Sequence, residues 1–118
     1  MKVVAYSVKP FEREQLAKAN QKKHYITLIF NSLSLETAVF AAGKQAVIVS
    51  SADDVSTEVI SKLASLGVKY ITTRSAVTTN IDKYSANLHG IKLGDASDEI
   101  DIASQTIKNL DMWEQVSL

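Results

Sequence analysis

The stretch Arg74-Ser75-Ala76-Val77-Thr78-Thr79-Asn80-Ile81-Asp82 holds the best candidate for chemistry in this chain. Its residues are small and hydroxylated, and a short helical pattern follows. Backbone N–H groups in such a loop, together with a helix N-terminus, can receive a carboxylate. The candidate site is therefore Ser75, Ala76, Val77, Thr78, Thr79 and Asn80, acting through the main chain. A second candidate is the pair Asp53-Asp54, which could hold magnesium. The same pair is an ordinary helix entry ahead of Ser56, and that reading is preferred. His24 abuts Lys22 and Lys23, and His89 precedes Gly90. Both histidines are expected at the surface, without partners at ligand spacing, so no metal site is expected.

Other chemistries are excluded by what the sequence lacks. A dinucleotide site needs a glycine-rich turn so that the backbone can approach the pyrophosphate. The four glycines, Gly43, Gly67, Gly90 and Gly94, never fall at that spacing, and there is no P-loop. Cysteine is absent, which removes thiolate nucleophiles and cysteine zinc sites. A phosphorylatable receiver domain needs acids after the first strand, whereas this one ends Tyr6-Ser7-Val8-Lys9. For a flavodoxin phosphate loop, Ser7-Val8-Lys9-Pro10 is too poor in hydroxyls. The net charge is zero, so nothing favours a nucleic-acid partner. No apolar run is long enough to span a bilayer, and no signal peptide is read at the N-terminus. A cytoplasmic location and no membrane association are expected.

Positioning the loop falls to an alternation of β-branched runs and helical patterns. The expected strands are Lys2–Tyr6, Tyr25–Phe30, Ala46–Ser51, Lys69–Thr73 and Gly90–Leu93. Pro10 suits a first helical position, with Glu12 and Glu14 in the first turn and Lys18, Lys22 and Lys23 in the last. Ser34 is read as the cap of a helix over Glu36–Ala42 that Gly43 ends. Ser56 caps a third helix with Val55, Val59, Leu63 and Leu66 on one face, stopped by Gly67. A fourth runs from about Ile81 to Leu88. Such alternation predicts a parallel sheet covered on both faces. Five strands in this length predict an α/β, flavodoxin-like doubly wound sheet of order 2-1-3-4-5.

The C-terminal segment is the least settled part. Ile100, Ala103, Ile107, Leu110 and Trp113 make an apolar stripe on a helix of about Asp98 to Glu114. Either it folds back over the sheet, or it buries Ile100, Ile107, Leu110 and Trp113 against a second copy, giving a homodimer. Charge is also segregated: residues 1–44 carry seven basic and three acidic side chains, whereas 95–118 carry six acidic and one basic. Most simply these are solvated helix faces. Alternatively the acidic C-terminal arm docks on a basic surface of this chain or of a twin.

Lys2-Val3-Val4-Ala5-Tyr6-Ser7-Val8-Lys9-Pro10-Phe11-Glu12 and Leu35-Glu36-Thr37-Ala38 with Ala41-Ala42-Gly43 resemble the start of the D-isomer-specific 2-hydroxyacid dehydrogenases. The D-lactate dehydrogenases are the nearest group. Leu66 to Ala76, then Asn80-Ile81-Asp82 and Gly90-Ile91-Lys92, continue the likeness in order. It implies a flavodoxin-like substrate domain over 1–97 and a helix over 98–118 similar to the interdomain helix. It also implies a small 2-keto or 2-hydroxy acid ligand, its carboxylate held by the amides of Ala76 and Val77. The family carries glycine at the position of Val77, and the segment after the fifth strand is replaced here by Gly94-Asp95-Ala96-Ser97. Its NAD-binding Rossmann domain and its catalytic Arg, Glu and His find no counterpart in this sequence. The resemblance therefore leaves no catalytic residue, no bound NAD and no NAD-dependent turnover expected of this chain alone.

Overall fold

The strands form because short runs of β-branched residues alternate with helix-forming segments, and each strand must be covered on both faces. In the computed structural model, which describes residues 1–96 and 101–117, the strands are β1 (Lys2–Ala5), β2 (Tyr25–Leu28), β3 (Ala46–Val49), β4 (Tyr70–Thr73) and β5 (Lys92–Gly94). They pair in parallel in the order β2-β1-β3-β4-β5, the expected flavodoxin-like arrangement. Val47 and Val49 face one side of the sheet and Ala46 and Ile48 the other, all fully buried. Each such Val or Ile contributes about 1.5–3 kcal/mol by leaving water.

Helices α2 (Thr57–Ser65) and α3 (Lys83–Leu88) cover the first face with a 3₁₀ turn at Thr37–Ala41. Val59, Ile60 and Leu63 of α2 lie in that core. Helices α1 (Pro10–Asn20) and α4 (Ile102–Ser117) pack together on the second face. Pro10 begins α1 as expected, but the helix stops at Asn20 because Gln21 and Lys22 adopt left-handed backbone, φ 49° and 61°. Lys22 and Lys23 therefore lie in a turn rather than in the last helical turn. The expected helix over Glu36–Ala42 is only the 3₁₀ turn. Ser34 and Thr37 hydrogen-bond each other there instead of capping a longer helix. For α3, Asp82 is the cap, accepting from the Ser85 amide at 3.0 Å, so the helix starts after Ile81.

The apolar stripe on α4 turns inward. Ile107, Leu110 and Trp113 are buried against Val3, Ala5, Ile48 and Tyr70 of the chain's own sheet. Trp113 stacks on Tyr70 with ring centroids 4.9 Å apart, a contact of about 0.5–1.5 kcal/mol beyond area burial. These three residues are thus not presented to a second copy, because the sheet takes up their apolar surface. Ile100, the fourth residue of that expectation, and Asp98, the expected helix start, lie outside the described residues. At Gly94 the side chains of α4 press on β5: a Cβ there would meet Asn109 Nδ2 and Trp113 Cη2 at 2.9 Å each.

His24 departs from the surface position expected of it. Its ring is buried, with Nε2 2.7 Å from Asp111 Oδ1, and Nδ1 is 3.5 Å from Glu114 Oε2. Asp111 also pairs with Lys23 at 2.8 Å, and Glu114 with the N-terminal ammonium. The reason is geometric: Asn20 bonds the His24 main chain in both directions, at 2.8 and 3.0 Å. That clamp turns the ring beneath α4. Asp111 and Glu114 of the acidic C-terminal segment accordingly dock on a basic surface of this same chain. His89 is exposed, as expected.

Candidate functional site

Three strand ends meet beneath the 75–80 loop, and each supplies a group that fixes it. From β4, Arg74 turns back under the sheet end and is buried. Its Nε and Nη2 donate to the Glu12 carboxylate at 3.0 and 3.3 Å, Nη1 to the Tyr6 carbonyl at 2.9 Å, and Nη2 to the Ser7 carbonyl at 3.0 Å. One side chain thus ties β4, the end of β1 and the first turn of α1. Burial pushes the Glu12 carboxyl upward, but hydrogen bonds from Arg74 and the Lys9 amide outweigh it and hold it below the ordinary glutamate range.

From β3 comes Asp53. It is buried, and its carboxylate accepts from the Leu33 amide at 2.7 Å, Ser7 Oγ at 2.6 Å, and the Ser50 amide at 2.7 Å. Both oxygens are committed to joining the loops after β1, β2 and β3, so this residue is neither helix-entry decoration nor an available metal ligand. Asp54 alone plays the expected helix-entry part, accepting from the Ser56 amide at 3.0 Å. Ser7 is held at φ 57°, a left-handed conformation that costs a non-glycine residue about 1–3 kcal/mol. Its bonds to Asp53, Asn31 and Arg74 hold it there. Tyr6 beside them donates to the Thr37 carbonyl at 2.8 Å, and its phenol is pushed up to about 12, first by burial and then by Asp53.

The loop itself starts at half-buried Ser75 and ends at Asn80. Ser75 donates its amide to Thr73 Oγ1 at 3.1 Å, and its own hydroxyl accepts from the Val77 amide at 3.1 Å. Asn80 clamps the far end, its Nδ2 donating to the carbonyls of Ser50 and Asp53 at 3.0 and 2.9 Å. Ala76 and Thr79 are exposed, Thr78 is half-buried, and Val77 is 53 % exposed. The backbone of Val77 stays out of the left-handed region, so valine occupies this position without conformational strain. Among the described residues, the amides of Ala76, Thr78 and Thr79 have no protein acceptor, whereas the Val77 amide is engaged by Ser75. A hollow of ≈ 80 Å³ adjoins Thr78, with Lys83 and Gly94 on its wall. The structure therefore holds the six candidate residues at the carboxyl end of the sheet as one braced turn, three of whose amides have no protein acceptor.

Arg74 and Asp53 are the residues whose roles sequence reasoning missed. One signal existed: a charged side chain directly following an apolar strand needs a counter-charge, and Glu12 in a first helical turn could supply it. No such signal pointed from Asp53 to Leu33 or Ser7, which are brought together only by strand order. Both histidines lie at the opposite, amino end of the sheet: His24 just before β2, and His89 just after α3. Among the described residues, no group of three or more His, Asp or Glu side chains could hold a metal ion. No helix among them is long and apolar enough to cross a membrane.

The family profile of the D-isomer specific 2-hydroxyacid dehydrogenase catalytic domain matches residues 3–104. The chain belongs to this family. Over 94 residues the catalytic-domain chain is 35% identical to a D-lactate dehydrogenase of Escherichia coli, covering 79% of itself and 29% of that protein. It is 32% identical, over the same share of its length, to an aromatic 2-oxoacid reductase of Clostridium sporogenes, covering 28% of it. The apo structure of the Escherichia coli D-lactate dehydrogenase superposes with a TM-score of 0.82 at 31% identity, over 85% of this chain and 32% of that one. The chain thus spans less than a third of the length of these relatives, and the shared portion includes the braced loop.

Proposed function

We propose that this chain is a 2-hydroxyacid dehydrogenase substrate-domain unit that binds the carboxylate of a small 2-oxo or 2-hydroxy acid on its 75–80 loop. Acid binding proceeds without NAD-dependent turnover by the chain alone. The observation that carries the reading is the loop's construction: amides without a protein acceptor at Ala76, Thr78 and Thr79, on a turn pinned by Arg74 and Asn80. Preorganised amides cost little to align on an anion. Lys83 and Asp95 both line the neighbouring hollow, where their charges offset. The named relatives reduce 2-oxoacids or oxidise D-lactate, which fits an acid of that class here.

Two features support binding without turnover. Hydride transfer at C2 needs an acid–base group placed at the carbonyl oxygen, and both histidines are at the far end of the sheet. A dinucleotide pyrophosphate needs a glycine at a strand-to-helix turn, yet at Gly94 Asn109 and Trp113 already fill the space a Cβ would take. Gly94 therefore offers no close approach for a pyrophosphate. A two-dimensional amide NMR titration with pyruvate, D-lactate and NADH tests the proposal. Saturable shifts centred on Ser75–Asn80 with the acids, and none with NADH, are expected. Silence at the loop with both acids would overturn carboxylate binding, and oxidation of NADH in the presence of pyruvate would overturn the absence of turnover.

A further inference from the structure

The net charge of zero conceals a separation of charge along the sheet. Lys2 and Lys92 are the first residues of β1 and β5, and Lys23, Lys44 and Lys69 lie one or two residues before β2, β3 and β4. Every strand thus opens with a lysine. The register Lys2↔Tyr25, Val3↔Ala46, Ala46↔Tyr70 and Tyr70↔Lys92 places them along a single edge. With strands spaced by about 4.8 Å, this row is about 20 Å long. Lys22 stands beside it, and Lys18 and Lys62 close the last turns of α1 and α2 at the same end. Among the described residues only Asp111 and Glu114 are carboxylates there, and they are spent on Lys23, His24 and the N-terminus.

The carboxyl end of the sheet has the opposite character. Glu36, Asp54, Glu58, Asp95 and Asp101 are exposed there, and Asp82 caps α3. Lys9, Arg13 and Lys83 oppose them, while Arg74 is neutralised by Glu12. The four helices run from the carboxyl end of the sheet to its amino end, so their dipoles counter this pattern. At about half a charge per helix end they amount to only about two charges, too few to cancel the seven lysines left once Lys23 is paired with Asp111.

We propose that copies of this chain associate head to tail, the lysine edge of one seated on the acidic end of the next. Both complementary surfaces belong to one molecule and are always present at equal concentration. With a net charge of zero at pH 7, no long-range repulsion keeps copies apart. The two surfaces differ, so the contact is heterologous and continues into open chains instead of closing as a dimer. Such chains cover the 75–80 loop in every copy but the last.

Sedimentation velocity at two ionic strengths tests this. At about 0.01 M, where the Debye length is about 30 Å, the weight-average sedimentation coefficient rises with protein concentration, and at about 1 M it returns to the monomer value. Lys69→Glu with Lys92→Glu abolishes the growth, as does Glu58→Lys with Asp101→Lys. Mixing the two variants restores chains, because the reversed edge of one finds the reversed end of the other. All four positions are exposed, and circular dichroism confirms that the variants fold. A protein that stays monomeric at about 0.01 M would overturn the proposal. So would association unaffected by either charge reversal, or association that strengthens with salt. Capture of inorganic polyphosphate by the lysine edge without self-association would instead mean that a polyanion is the partner.

Discussion

Replacing Arg74 by methionine tests the brace beneath the loop most directly. Methionine keeps the apolar stem and removes the guanidinium fork. Its loss leaves the buried carbonyl of Tyr6 and the half-buried carbonyl of Ser7 without their donors and the Glu12 carboxylate without its partner. Breaking a buried charged pair costs about 3–5 kcal/mol. The lower figure applies, because the Glu12 side chain is 22% exposed and water partly replaces the guanidinium. The expected loss is about 3 kcal/mol at pH 7. Urea unfolding followed by the fluorescence of Trp113, the single tryptophan, measures it. Glu12→Gln alone loses about 1 kcal/mol, and the double variant little more than Arg74→Met, since the lost contacts are shared. The pH dependence has a fixed sign. The Glu12 carboxyl is held below its ordinary value, so its contribution is complete above the unfolded glutamate pKa of about 4.3 and drains away as pH falls through the lower folded value. Methionine at position 74 removes that contribution beforehand, so the gap between the two proteins narrows in acid. A loss below about 1 kcal/mol at pH 7, or a double-mutant cycle additive within about 0.5 kcal/mol, would refute the brace.

Three further expectations follow from individual contacts. Ser75→Ala frees the Val77 amide, so pyruvate shifts the Val77 amide resonance more strongly than in the wild type; an unchanged titration would show that this amide takes no part. Gly94→Ala drives a Cβ into Asn109 and Trp113 and costs about 1–3 kcal/mol by overpacking, with an altered Trp113 emission; a variant as stable as the wild type would mean that α4 is free to shift. Asp111→Asn weakens the contacts with His24 and Lys23, costs about 1 kcal/mol, and is read by faster hydrogen exchange along α4. Equal exchange rates in both proteins would remove the docking role from that carboxylate.

The sequence alone determined the parts of this protein that depend on periodicity and punctuation. Five β-branched runs separated by helical patterns left few arrangements other than a parallel doubly wound sheet. The spacing of Val59 and Leu63, with Gly67 beyond, defined α2 because an amphipathic repeat has one way to bury its face. The place of the 75–80 loop, beyond the carboxyl end of β4, was legible from the strand–helix alternation. The tertiary structure decided everything that rests on contacts between distant segments. His24 is buried because α4 passes over it, with Asp111 lying 87 residues away in the chain. Asp53 joins three loops because strand order brings Ser7, Leu33 and Ser50 together. The stripe on α4 could equally have faced a second copy, and only the surface offered by Val3, Ile48 and Tyr70 settles it inward. A local pattern records which face of a segment is apolar. Which surface receives that face, and which buried charge finds which partner, is set by the packing of the whole chain.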